Sequence, residues 1–147
     1  MSGNGEESTM PVLGYAPGAY DMFHIGHLNI LKRARLECDR LVVGVVSDEV
    51  VFKAKGKSPI VPFEERLEIV RSIRYVDDAV PDLHVDKFDS WQELRFDVLF
   101  KGDDWRGTER GVKLEGRLDA VGARIVYFPY TIHTSSTALR KLISIPS

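Results

Sequence analysis

Apolar residues along this chain switch between two spacings, and the switching predicts an order of elements. Val12, Leu13 and Tyr15 form a short apolar run that Pro17-Gly18 ends. From His27 the period changes. Leu28, Leu31 and Ala34 recur at helical spacing, while Lys32, Arg33 and Arg35 supply a polar side. Leu41 to Val46 is continuously apolar, as in a parallel strand buried on both faces. Pro62 opens a predicted helix with Glu64 and Glu65 in its first turn and Phe63, Leu67, Val70 and Ile73 or Arg74 at its spacing. Val76 to Val80 reads as a weaker strand, Ser90 as the cap of a short helix through Leu94, and Val98 to Phe100 as the next strand. Leu114, Leu118 and Val121 mark a helix that Gly122 terminates, and Ile125 to Phe128 is another strand. Ser135 or Ser136 is expected to cap a last helix with Leu139, Leu142 and Ile143 on its inner side.

Alternating strands and helices predict an α/β fold, an open and mostly parallel sheet with helices on both faces. Ligands of such sheets bind beyond the carboxyl ends of the strands. Polar clusters fall there: the histidine loop after the first strand, Lys53, Lys55 and Lys57 after the second, Lys101 to Trp105 after the fourth, Thr134 to Thr137 after the fifth.

Composition narrows the class. With 147 residues, 44% of them apolar and 29% charged, one core is expected. It is assigned to residues 11–147, behind a polar, acidic segment at 1–10 read as a flexible tail. A net charge of −2 argues against a broad nucleic-acid surface. No apolar run is long enough for membrane insertion, and the first residues do not resemble a signal peptide. Cys38 is the only cysteine, so a reducing cytoplasmic location is expected.

The candidate chemistry is concentrated in Gly18-Ala19-Tyr20-Asp21-Met22-Phe23-His24-Ile25-Gly26-His27. A helix start offers unpaired N–H groups and the positive end of the dipole, which suit phosphate. Gly26 permits close backbone approach, and His24 and His27 are three apart, so one turn can aim both rings at one anion. On spacing alone, an ordinary pair of helix-start histidines serves equally well. Zinc would need further ligands at zinc-type spacing, which Cys38, His84 and His133 do not supply. The G-x-G-x-x-G of dinucleotide oxidoreductases and the G-x-x-x-x-G-K-[ST] of P-loops are both absent.

This stretch resembles the H-x-G-H signature of the nucleotidyltransferase superfamily, and within it the small cytidylyltransferases, of which the glycerol-3-phosphate cytidylyltransferases are the simplest. Arg74-Tyr75-Val76-Asp77-Asp78-Ala79-Val80 is similar to that family's R-Y-V-D-E-V, Lys101-Gly102-Asp103-Asp104-Trp105 to its G-D-D-W, and Thr134-Ser135-Ser136-Thr137 to its I-S-T-T. The resemblance covers about residues 11–143. It implies a Rossmann-like, doubly wound, five-stranded parallel sheet. It also implies transfer of CMP from CTP to a phosphorylated alcohol, giving a CDP-alcohol and pyrophosphate. The nucleophile is then a phosphate oxygen, largely ionised at neutral pH because the second phosphate pKa is about 6. Positioning and electrostatics do the work, with no strong general base.

Residue roles follow from the same resemblance. His24 and His27 donate to CTP phosphates, and Lys55 neutralises the acceptor phosphate or CTP, with Lys53 and Lys57 as alternatives. Gly18, Ala19, Tyr20, Asp21 and Gly26 form the nucleotide loop. Arg74, Gly102, Asp103, Asp104, Trp105, Tyr130, Thr134, Ser135, Ser136 and Thr137 complete the nucleotide site. Magnesium is expected to accompany the triphosphate, with Asp21 a candidate ligand, and a homodimer is implied.

Two positions depart from the family pattern. Its G-T-F-D reads Gly18-Ala19-Tyr20-Asp21, without the hydroxyl, and Tyr130 replaces the arginine of R-T-E-G-I-S-T-T. A bidentate phosphate donor is lost there, and His133 or Arg140 are candidates to replace it. Adenylyltransferases acting on heptose phosphate or FMN share the H-x-G-H loop and a stretch resembling Lys55-Gly56-Lys57-Ser58-Pro59. They are the alternative to CTP chemistry, although the R-Y-V-D-like and G-D-D-W-like segments favour cytidine. A non-catalytic nucleotide-binding module is a third reading, motivated by Ala19 and Tyr130.

Overall fold

The structure, a computed structural model, describes residues 10–129 and 136–144. Five strands, β1 (Leu13–Gly18), β2 (Arg40–Val46), β3 (Asp78–Asp82), β4 (Val98–Gly102) and β5 (Arg124–Phe128), form one parallel sheet in the order β3-β2-β1-β4-β5. The helices are α1 (Ile25–Leu36), α2 (Asp48–Lys55), α3 (Phe63–Arg71), α4 (Lys87–Leu94), α5 (Glu109–Asp119) and α6 (Ser136–Ser144), with one 3-10 turn at Asp103–Trp105. The expected doubly wound α/β sheet is therefore present. Its order reverses between β1 and β4, and a ligand crevice opens at such a switch point.

Each face of the sheet has its own core. Leu31 and Ala34 of α1 and Leu67 and Val70 of α3 pack with Val43, Val45 and Phe100 on one side. Leu114 and Leu118 of α5 pack with Tyr15, Val42, Phe96 and Leu99 on the other. Covered on both faces, β2 is buried from Leu41 to Val46, which explains its unbroken apolar run. Gly44 is a steric requirement, because a Cβ there would lie 1.9 Å from the Tyr15 hydroxyl. That hydroxyl crosses over Gly44 to donate to Asp82 at the end of β3.

At the amino end of the sheet, three aspartates cap strand starts. Asp39 accepts from Val12 N at 2.6 Å, Asp97 from Leu13 N at 2.8 Å, and Asp77 from Leu41 N at 2.7 Å.

Several sequence expectations shift. The Lys53–Lys57 stretch is not simply a loop after β2. Lys53 and Lys55 end α2, which Ser47 caps by accepting from Val50 N and which Gly56 closes at φ 74°. Only Val50 and Val51 of this helix are buried, too short an apolar signal to announce it. Ser90 does not cap α4. Asp86 does, accepting from Phe88 N, and Ser90 sits inside the helix donating to Asp82. In α6, Leu142 and Ile143 are exposed rather than inner, and with Leu139 they line one wall of an open apolar groove beside Phe23 and Ile69. The expected Ser135 cap and nearly all of the predicted tail, residues 1–9, lie outside the described residues.

Candidate active site

The loop from β1 to α1 holds an uncommon backbone. Tyr20 and Met22 have φ of 54° and 49°, left-handed values that cost about 1–3 kcal/mol for a bulky side chain. Local bonds hold it there. The Tyr20 hydroxyl donates to Ala16 O at 2.9 Å. Asp21, 6% exposed, accepts from Ile60 N and Val61 N, both at 2.9 Å, and from Arg140 at 3.1 Å. Arg66, 1% exposed, donates to Val61 O, Ala19 O and Val46 O at 2.7–2.9 Å and to Asp48 at 2.6 Å. One buried guanidinium thus ties the histidine loop, the end of β2, α2 and the segment before α3 together. Nothing in the sequence pattern singled out Arg66, because at helical spacing it reads as a polar position on α3.

The two histidines complete a reciprocal cap. Gly26 N donates to His24 Nδ1 at 3.1 Å, and His24 N donates to His27 Nδ1 at 3.2 Å. The rings stack with centroids 3.9 Å apart. Both Nδ1 atoms accept backbone protons, so each neutral ring carries its proton on Nε2 and offers Nε2–H as a donor. Burial first, then the neighbouring His24 and Lys55, pushes His27 down to about 3, and burial lowers His24 as well. Both rings are therefore neutral donors near pH 7 before any anion arrives. The bare helix N–H expected at Gly26 is already occupied by His24.

A cleft of about 590 Å³ opens beside this cap, at the carboxyl ends of β1 and β4. Gly18, Ala19, Tyr20, Asp21, His27, Lys55, Lys57, Gly102, Asp104 and Trp105 all line it. Sequence reasoning had singled out each of these ten from distant segments. Two further cations complete the lining. Arg140 lies on α6, and Lys101 is the penultimate residue of β4. Lys101 opens the G-D-D-W-like stretch, and the resemblance assigns it no role. Its Nζ lies 4.0 Å from the centre of the Trp105 ring, and burial lowers it to about 8. Neither Lys55 nor Lys101 has a hydrogen-bond or ion-pair partner among the described residues. His27, Lys55, Lys57, Lys101 and Arg140 thus bring five nitrogen donors to one cavity.

Other expected residues fall elsewhere. Arg74 is exposed, donates to the Tyr75 hydroxyl at 3.3 Å and precedes β3, so it sits at the amino end of the sheet, away from the cleft. Lys53 points to Glu49 at 3.3 Å. Asp103 begins the 3-10 turn without lining the cleft. His24 reaches the cleft only through its stack on His27. Tyr130, Thr134 and Ser135, with His133, lie outside the described residues, and Ser136 and Thr137 open α6. Asp21 is poorly suited to a metal, since both its oxygens already accept from the protein. No cluster of three metal-ligating side chains occurs among the described residues, and no helix among them is long and apolar enough to cross a membrane.

The cytidylyltransferase-like family model matches residues 15–142. FAD synthase of Pyrococcus abyssi (strain GE5 / Orsay) is 35% identical over 127 residues, 86% of each chain. Ethanolamine-phosphate cytidylyltransferase of Arabidopsis thaliana is 38% identical over 99 residues, 64% of this chain and only 23% of that protein. The crystal structure of the lipopolysaccharide core biosynthesis protein from Thermoplasma volcanium GSS1 superposes with a TM-score of 0.69 at 25% identity, covering 84% of this chain and 99% of that one. The matched span runs from β1 to α6 and includes the histidine cap, Lys55 and Lys101, and the chain belongs to the cytidylyltransferase-like family of nucleotidyltransferases.

Proposed function

We propose that this protein transfers a nucleoside monophosphate from a nucleoside triphosphate to a phosphomonoester, with ATP as donor and an FMN-like acceptor. The observation that carries the transfer chemistry is the neutral Nε2–H donor of His27, backed by the stacked His24, beside Lys55 and Lys101 at the sheet's switch point. An acceptor phosphate oxygen attacks the α-phosphorus. The bond from that phosphorus to the bridging oxygen breaks, and its electron pair leaves with pyrophosphate. No proton has to move, so donors and positive charge aimed at the developing oxyanions are the catalytic need. His27 and Lys55 meet that need on the triphosphate, and Lys101 faces both reacting groups. Magnesium would ride on the triphosphate oxygens, with Asp104 the one cleft carboxylate not engaged by loop backbone among the described residues.

The choice of ATP rests on the FAD synthase relative, which matches over most of both chains. A second reading, CTP with a phosphorylated alcohol, is favoured by the G-D-D-W-like turn and by the Arabidopsis relative. The test is pyrophosphate release with each nucleoside triphosphate, magnesium, and FMN, glycerol 3-phosphate or phosphoethanolamine. Release with ATP and FMN is expected. Release with CTP alone selects the second reading, and nucleotide binding without release in any pairing selects a binding module.

A further inference from the structure

Trp105 is fixed through both its backbone and its side chain. Its carbonyl, at the end of the 3-10 turn, accepts from Thr108 N at 3.1 Å and from the Thr108 hydroxyl at 2.7 Å. Thr108 in turn caps α5 by accepting from Gly111 N at 3.1 Å. A Cβ at Gly111 would lie 2.1 Å from the Trp105 carbonyl oxygen, so only glycine lets the first turn of α5 come this near. The indole packs against the core formed by Tyr15, Leu99, Leu114 and Leu118. The segment after β4 is therefore built to hold one ring in place.

What that ring carries is positive charge. The Lys101 Nζ lies 4.0 Å, and the Arg110 guanidinium carbon 4.2 Å, from its centre. A base stacking there would have to displace a cation. Tyr20 and Phe100, which also line the cleft, are 7% and 1% exposed and offer no open face either. Among the described residues no carboxylate pairs with Lys101. Asp104 is exposed, lines the same cleft and acts on the ammonium only through space. The difference matters for the chemistry. A contacting carboxylate would cancel the charge, whereas an aromatic face holds an ammonium and leaves its N–H groups for another anion.

We infer that Trp105 is a positioning residue: it holds the Lys101 ammonium toward the triphosphate, and the nucleobase binds without stacking on it. This rests on the transfer reading above and gives Trp105 its part in that site. Arg110 lies over the ring without lining the cleft, so of the two cations only Lys101 reaches the nucleotide. Lys101 shares the cleft with His27 and Lys55. Its ammonium, fixed in advance, adds charge where the leaving pyrophosphate develops its own.

An anion without a base separates the two roles of the ring. Inorganic tripolyphosphate and non-hydrolysable ATP and CTP analogues are titrated by calorimetry, with magnesium, into wild type, Trp105→Leu, Trp105→Phe and Lys101→Met. The two Trp105 variants are also made in the Lys101→Met background. Trp105→Leu is expected to weaken tripolyphosphate and the nucleotide analogue that binds by the same factor, about tenfold. Trp105→Phe keeps a ring face and should lose about threefold or less. Neither substitution should add to the loss in the Lys101→Met background. Thermal unfolding records any loss of fold, and Trp105→Phe carries the comparison if Trp105→Leu does not fold. A loss confined to the nucleotide analogues, an undiminished effect in the Lys101→Met background, or no binding of tripolyphosphate overturns the inference. No pyrophosphate release by the wild-type protein from any nucleotide, with the coupling of Trp105 to Lys101 intact, sinks the transfer reading alone.

Discussion

The two ends of one parallel sheet are built on opposite rules. At the amino end, side chains serve the chain itself. Asp97 accepts from the first N–H of β1, Asp77 from the second of β2 and Asp39 from the residue before β1, while Arg35 and Arg40 sit 3.6 and 3.7 Å from Asp77 and Asp78. At the carboxyl end, backbone groups are satisfied from behind, by the buried Arg66 and Asp21. Imidazole and ammonium donors are left facing a cleft. The difference teaches where to look for function. Charge that is already spent on backbone holds a fold, and charge that faces a cavity with no protein partner is available to a substrate. Asp82 and Lys87 follow the first rule even near the carboxyl end: the buried carboxylate and the buried ammonium are spent on each other at 3.2 Å.

The contrast can be broken from behind. Arg66→Met leaves the carbonyls of Ala19, Val46 and Val61 without their donor, and removing a buried charged partner costs about 3–5 kcal/mol. Urea unfolding should show that loss, and the histidine loop should become more accessible to protease. Next comes His27→Ala. Loss of one preorganised donor lowers turnover by about a hundredfold to a thousandfold. Nucleotide affinity, followed by titration, should change far less; an equal loss in both would make His27 a ground-state contact.

The pH dependence sharpens the contrast, because the carboxyl-end groups are the ones displaced. Burial lowers Lys101 to about 8, so its ammonium is present below that pH and lost above it. kcat/KM, which reports the free enzyme, should fall above pH 8, by about tenfold per unit. Lys101→Arg should move this limb upward. Stability runs the other way in that window. The unfolded chain keeps its proton to a higher pH than the fold does, so Lys101 makes the fold gain stability as pH rises from about 8 toward 10.5. His27 acts at the acid end. Its folded value of about 3 lies below the ordinary 6.5, so stability is fully present above 6.5 and declines as pH falls toward 3. His27→Asn should flatten that acid slope in a pH series of unfolding curves.

At the amino end the expected effects are small. Asp77→Ala removes one partly buried hydrogen bond to Leu41 N, worth about 1–2 kcal/mol, and should leave kcat unchanged.

Much of this was legible in the sequence, for physical reasons. A strand buried on both faces must be apolar throughout, so Leu41 to Val46 announced itself. The histidine loop was legible because glycine, proline and paired imidazoles cluster where a strand gives way to a helix. What stayed hidden depended on contacts between distant residues. α2 buries only Val50 and Val51, so its lysines read as a loop. Arg66 spaces like a surface residue, and its four partners come from the histidine loop, the end of β2, α2 and the segment before α3. Arg74 belongs to a motif that matches the family, yet a motif does not reveal which end of a strand it occupies. A pocket of about 110 Å³ that Lys87 and Arg110 line was invisible because they come together only through the packing of α4 against α5.

The most direct measurement pairs one residue from each end. Pyrophosphate release is followed for His27→Ala and Arg74→Ala, with the nucleotide and acceptor that the wild-type protein uses best. The account expects His27→Ala to lose about a hundredfold or more in kcat while Arg74→Ala stays within about twofold of wild type. Comparable losses in the two variants, or a larger loss in Arg74→Ala, would contradict it.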